Sequence, residues 1–226
     1  MGFDLQTLRE TVKTHGSVVR VVIASIKGSS PREVGAAMLV WQDGQSGTIG
    51  GGTLEFQAAA AARKQTADTR LTHHALGPDL GQCCGGAVTL LSEVYDLAAV
   101  DRIDDRIVAR AVSGTEMPLS VKRLLAQARG QGVPPEAQLI DGWMVEPVHK
   151  PARDLWIWGA GHVGRALVDV LSPLPDLAIT WVDTGPERFP DQVSDNVTVV
   201  SAARPAELVR HAPVEAEHLI ATYSHA

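Results

Sequence analysis

The sequence predicts an α/β protein in two parts: an N-terminal mixed α+β domain over residues 1–150, then a truncated Rossmann-like parallel-sheet domain over residues 151–226. Three observations carry this. Val- and Ile-rich runs in the first part are separated by tight-turn signals and by only a few helical stretches. A Gly/Pro-rich break at Arg129–Pro135 and the short linker Pro147–Pro151 interrupt the chain. After the linker the pattern changes to strand, glycine turn, helix, strand.

In chain order, Asp4–His15 reads as an amphipathic helix, with Leu5, Leu8 and Val12 on one face, Asp4 as N-cap and Gly16 as stop. Ser17–Ile26 and Ala36–Trp41 read as strands. Asp43-Gly44 marks a tight turn into Ser46–Ile49. Gly50-Gly51-Gly52 then precedes an alanine-rich helix ending near Gln65. Thr69–Ala75 and Ala87–Tyr95 read as strands, and Asp101–Val112 as a helix. Periodicity leaves Met117–Ala128 open between strand and helix. Ala137–Val148 reads as a hairpin turning at Asp141-Gly142.

Composition narrows the function classes. Of 226 residues, 45% are apolar and 20% charged, the balance of an ordinary globular chain. A net charge of −6, with no basic run or aromatic stacking platform, argues against a nucleic-acid partner. No stretch reaches the roughly 18 apolar residues of a membrane span. The first residues lack the apolar core of a signal peptide. Two cysteines without a disulfide framework fit a reducing cytoplasm.

Those two cysteines, Cys83 and Cys84, are adjacent and lie in Leu80-Gly81-Gln82-Cys83-Cys84-Gly85-Gly86. Glycine lets a ligand approach the backbone, and consecutive amides in such a loop favour a thiolate. A thiolate is a nucleophile and a soft-metal ligand. The bland alternative is a pair of small buried hydrophobes. Adjacent cysteines span too little backbone for an unstrained disulfide, and structural zinc wants ligands spaced apart. His73 and His74 alternate along a strand, so at most one faces the thiols.

Two further loops have anion-binding character. Gly28-Ser29-Ser30-Pro31-Arg32 carries a guanidinium suited to an oxyanion, and Gly50, Gly51 and Gly52 open a helix that has Glu55 in its first turn. The alternative is two ordinary turns, with Glu55 complementing the helix dipole.

In the second part, strand Leu155–Trp158 runs into Gly159-Ala160-Gly161-His162-Val163-Gly164 and helix Arg165–Leu171. Gly159 allows the turn, Gly161 admits a phosphate and Gly164 lets the helix pack on the strand. Asp183, about 20 residues on, stands where a ribose hydroxyl pair would bind and favours NAD over NADP. Ile179–Val182, Val197–Val200 and His218–Thr222 read as further strands, and Pro205–His211 as a helix. The chain ends at Tyr223-Ser224-His225-Ala226, on the carboxyl end of a strand where such sheets bind ligands. The expectation is a truncated chain or a sheet completed by a partner, with His225 a site residue of the longer form and a homo-oligomer as one outcome.

Several of these blocks resemble the XdhC/CoxI family. Gly28–Arg32, Gly47–Glu55 and Gly77–Gly86 resemble its N-terminal domain, and Trp158–Gly164 and Tyr223–Ala226 its Rossmann-like domain. The resemblance implies an accessory protein for molybdenum hydroxylases such as xanthine dehydrogenase, a carrier without turnover of its own. Such a protein binds the molybdenum cofactor (molybdopterin) and supports exchange of an oxo for a sulfido ligand, with a cysteine desulfurase as sulfur donor. It then delivers the cofactor to the apo-enzyme. By this resemblance Cys83 and Cys84 handle sulfur and contact molybdenum. Motif position adds Arg32, Gly50, Gly51, Gly52 and Glu55 to the same pocket. A dinucleotide at Gly159, Gly161, Gly164 and Asp183 is a further expectation. Ala87 departs from the family, standing where a basic residue is common. The competing readings are an NAD-dependent oxidoreductase with a reactive cysteine and a non-catalytic assembly module.

Overall fold

The computed structural model describes residues 2–77, 85–114, 116–149, 153–174, 176–194 and 196–222. The chain divides into two compact units, Met1–His149 and Lys150–Ala226.

The first unit is built on a five-stranded antiparallel sheet of β1 (Val18–Lys27), β2 (Ala37–Val40), β3 (Gln45–Gly47), β4 (Thr69–Ala75) and β5 (Ala87–Tyr95), in the order β3-β2-β1-β5-β4. Central strand β1 is buried on both faces over most of its length. Val19, Val21 and Ile23 meet helix α2 (Gly52–Ala62) through Leu54, Ala58, Ala59 and Ala62. The small alanine side chains let α2 lie close to the sheet. On the other face, Val18 joins Leu5, Leu8 and Val12 of helix α1 (Leu5–His15), and Val22 packs with Leu91 and Met144. Asp4 caps α1 by accepting the Thr7 amide at 2.9 Å, and Gly16 ends it at φ 81°.

The expected helix over Asp101–Val112 is not what forms. Asp96 caps a single turn, α3 (Leu97–Val100), by accepting the Ala99 amide at 2.7 Å. Asp104 then accepts the Arg106 amide at 2.8 Å, a local turn that competes with helix. Strand β6 (Ile107–Ala111) follows, because strand β8 (Trp143–Pro147) offers it a partner. Most of the open segment Met117–Ala128 is helical, as α4 (Leu119–Gln131). The hairpin of β7 (Gln138–Ile140) and β8 turns at Asp141 and Gly142, both at positive φ (47° and 77°), as expected for an Asp-Gly turn. Together β6, β8 and β7 make a three-stranded sheet.

A charged network lies inside this unit. Arg20 on β1 donates twice to Glu146 on β8, at 3.0 and 2.7 Å. Arg110 on β6 donates to Glu146 at 2.6 Å and to Glu93 on β5 at 2.6 and 2.7 Å. The Phe3 ring lies 4.2 Å below the Arg20 guanidinium. Glu146 is fully buried and Arg20 is 2% exposed. Burial opposes ionisation of Glu146, but Arg20 and Arg110 outweigh it and hold the carboxyl below its ordinary range.

The second unit is a parallel four-stranded sheet of β9 (Arg153–Trp158), β10 (Leu177–Asp183), β11 (Val197–Ser201) and β12 (Glu217–Ile220), in the order β11-β10-β9-β12. In chain order this is 3-2-1-4, the Rossmann arrangement. Helix α5 (His162–Leu171) covers one face through Val168, against Leu155, Ile157, Ile179 and Trp181. On the other face Trp156, Trp158 and Val182 meet Leu208 of the 3₁₀ segment Pro205–His211, where a helix is expected from sequence. Among the described residues, no helix is long and apolar enough to cross a membrane.

Candidate functional site

In the first unit the glycine blocks meet at one end of the five-stranded sheet. Strand β1 ends at Lys27, opposite Ala87 at the start of β5, which in turn faces Ala75 at the end of β4. The Leu76 amide donates to the Gly86 carbonyl at 2.7 Å and closes the base of the intervening segment. Gly86 packs on the Gly28–Arg32 loop so closely that a Cβ would collide with the Ser29 carbonyl, and would lie 2.6 Å from the Lys27 oxygen. Gly50, at φ 120°, lies against the same loop, where a Cβ would come 2.5 Å from Pro31 Cγ and 3.6 Å from Arg32 Cγ. The loop after β1 thus touches both the loop after β3 and the segment before β5, although they are far apart in sequence. Cys83 and Cys84 lie outside the described residues, as does His225.

Within this end, Glu55 is the most heavily bonded of the predicted residues. Its Oε2 accepts the Thr48 hydroxyl at 2.5 Å and the Ile49 and Gly51 amides at 3.0 Å each. Its Oε1 accepts Gln45 Nε2 at 3.3 Å. Partial burial works against the charge, but these donors prevail and hold the carboxyl below its ordinary value. Gly50, Gly51 and Gly52 all have positive φ, at 120°, 74° and 66°. That conformation is why the loop needs glycine. Arg32 is about a quarter exposed and lies 3.4 Å from the Glu33 carboxylate.

A second polar chain crosses three neighbouring strands. Ser25 donates to Thr89 at 2.8 Å, and Thr89 lies 2.9 Å from His73 Nδ1. With its oxygen accepting from Ser25, the Thr89 hydroxyl has its proton free for His73. His74 pairs with Val88 and so takes the opposite face, where its Nε2 lies 2.9 Å from Thr72 Oγ1. Burial, then His73 and Arg70, push its pKa down. Sequence reasoning did not single out Thr48, Gln45, Ser25 or Thr89.

In the second unit the three glycines have different surroundings. Gly159, at φ 109°, abuts the chain after β12, where a Cβ would come 2.6 Å from the Ala221 oxygen. Gly164 lies on the Gly159 carbonyl, and a Cβ there would collide with it. Gly161 has nothing within 4 Å of its Cβ position. Only this middle glycine faces open space, the place at which a phosphate reaches such a turn. Asp183 accepts the Ala160 amide at 2.5 Å through Oδ2, and the Thr184 amide and hydroxyl at 2.5 and 3.0 Å through Oδ1. Arg188 stands 3.6 Å from Oδ1. Burial resists the Asp183 charge, but the amides, the Thr184 hydroxyl and Arg188 lower its pKa. Arg165 donates to the Ala160 carbonyl at 3.1 Å and to the Arg188 carbonyl at 2.6 Å, tying the turn to the next loop. Among the described residues, no group of three or more His, Cys, Asp or Glu is placed to hold a metal ion.

Residues 12–75 match the model of the XdhC and CoxI family. That segment is similar to the XdhC and CoxI family. It holds β1, the Gly28–Arg32 loop and the whole Thr48–Glu55 cluster, and it ends with β4. A crystal structure described as a xanthine dehydrogenase from Bacillus halodurans matches with a TM-score of 0.65 at 21% identity, over 96% of this chain and 74% of that one. At that identity the likeness is one of fold, and it extends well beyond the XdhC and CoxI segment. None of the curated proteins matches the chain.

Proposed function

We propose that this protein is an accessory factor for a xanthine dehydrogenase-type molybdenum hydroxylase, which holds the molybdenum cofactor during sulfuration and delivers it to the apo-enzyme. The observation that carries this is the contact of the Gly28–Arg32 loop with both Gly50 and Gly86 at one end of a sheet, within and beside the segment that matches the XdhC and CoxI model. The cofactor is a pterin dithiolene with a terminal phosphate, and it brings the molybdenum that receives the sulfido ligand. Its anionic, flat shape suits a surface that several glycines keep free of side chains and that Arg32 borders. Cys83 and Cys84, joined to that surface through Gly85 and Gly86, are the candidates for sulfur handling and for contact with the metal. A cysteine desulfurase would supply the sulfur.

The test is reconstitution of the apo-hydroxylase with loaded carrier. Cys83→Ser and Cys84→Ser are expected to lower activation of the target enzyme at least tenfold in one variant or both, while circular dichroism stays unchanged. Full activation by both variants would remove the thiols from the mechanism.

A second reading rests on Gly161. Its open surroundings and the Ala160–Asp183 bond suit a dinucleotide in the second unit, and with a reactive cysteine this would make an NAD-dependent oxidoreductase. Titration with NAD decides it: no binding at millimolar concentration counts against any nucleotide at the turn.

A further inference from the structure

The Gly50–Gly52 loop, read from sequence as a cradle for an external anion, already contains one. Glu55 Oε2 takes three donors, and they come from the segment an incoming phosphate would use: the Thr48 hydroxyl and the Ile49 and Gly51 amides. Three hydrogen bonds to one oxygen leave it no further lone pair to offer. The Thr48 oxygen in turn accepts the Gly50 amide at 3.1 Å, so the donors of this loop face inward. Through Oε1 and Gln45 the same carboxylate ties edge strand β3 to the first turn of α2. Gly50 then carries the loop's position to Pro31 and Arg32, whose own loop carries Gly86.

We propose that Glu55 is the resident anion of this loop and a positioning residue, which excludes external oxyanions from the Ile49 and Gly51 amides and sets the shape of the surface shared by the three glycine blocks. The inference deepens the carrier reading. The cofactor's phosphate would meet the outward side of the loop, where a Cβ on Gly51 would have nothing within 4 Å. Its core claim concerns the free protein and needs no cofactor to be tested.

The experiment is amide hydrogen exchange followed by NMR on the full chain. In Glu55→Ala, exchange at Ile49 and Gly51 is expected to accelerate roughly ten- to a hundredfold, the scale of hydrogen bonds to a charged group, while β1 and β5 keep their protection. Formate at tens of millimolar should restore protection in Glu55→Ala and change nothing in the wild type. Inorganic phosphate should shift the Ile49 and Gly51 resonances in the variant only. Glu55→Gln, which keeps an acceptor oxygen but loses the charge, should fall between the two, and it carries the test if the alanine variant does not fold. Unchanged exchange in both variants would overturn the proposal. So would equal phosphate-induced shifts in wild type and variant, which would show the loop open to external anions. Absence of cofactor binding by the wild type, with the exchange pattern as expected, would fault the carrier reading alone.

Discussion

Glu146→Ala is expected to destabilise the first unit by about 3–5 kcal/mol, the cost of breaking a buried ion network by removing one member. Among the described residues, Glu146 is the only carboxylate hydrogen-bonded to Arg20 and one of two hydrogen-bonded to Arg110. Without it the Arg20 guanidinium, 2% exposed, would sit buried beside Phe3 without its hydrogen-bonded carboxylate, leaving Glu93, opposite it on β5, as the remaining acid of the network. One member is already imperfectly satisfied: among the described residues, Arg110 Nη1 is buried without a hydrogen-bond partner. Urea unfolding reads the loss directly as a shift of the midpoint. The pH dependence has a definite sign. Glu146 titrates lower folded than unfolded, so its contribution is complete above the ordinary glutamate range and disappears as pH falls through the lowered folded value. Wild-type stability should therefore drop on acidification more steeply than that of Glu146→Ala. A double replacement of Arg20 and Glu146 by apolar residues should cost less than Glu146→Ala alone, since the burial penalty of both charges goes with them. A loss under about 1 kcal/mol for Glu146→Ala would mean that solvent or a rearranged partner rescues Arg20.

Gly164→Ala is expected to have the second-largest effect, confined to the second unit. The added methyl would collide with the Gly159 carbonyl, a backbone atom fixed by the Trp181 indole N–H at 3.0 Å. Neither side can give way cheaply, so the cost should reach or exceed the roughly 1–3 kcal/mol usual for overpacking. Gly161→Ala is the matched control. Its Cβ meets nothing, its φ is −73°, and it should leave stability within about 0.5 kcal/mol. If a nucleotide does bind the turn, Gly161→Ala should weaken it while stability holds. Comparable thermal midpoints for the two variants would show that Gly164 does not set the helix-to-strand distance.

Local patterns in the sequence reveal the fold class, the central strands, the hairpin at Asp141-Gly142 and the glycine turn before α5, because each depends on neighbours in the chain. Residues 101–112 defeat that approach. Their mixture of Asp, Arg and Ile has no decisive period, and β6 exists because β8, more than thirty residues away, pairs with it. Arg20 is invisible in the same way. It interrupts an otherwise apolar strand, and its counter-ion is 126 residues distant. At the candidate site, Glu55 and the three glycines stand out in the sequence as residue types, but which atom fills the loop is a matter of three-dimensional reach. A carboxylate one turn into α2 is close enough to bond back to Thr48, and composition carries no trace of that. In the second unit the spacing of Gly159, Gly161, Gly164 and Asp183 is legible, whereas the split between two packing glycines and one open one appears only once Ala221 and Trp181 are placed.

Pterin and molybdenum content test the carrier reading most directly. The protein would be purified from cells that make the molybdenum cofactor, oxidised, and assayed for fluorescent pterin alongside metal analysis. The carrier account expects pterin and molybdenum together in amounts approaching one per chain, and their transfer to apo-hydroxylase on mixing. Wild-type protein that copurifies with neither, from cells in which the hydroxylase itself is fully loaded, would contradict it.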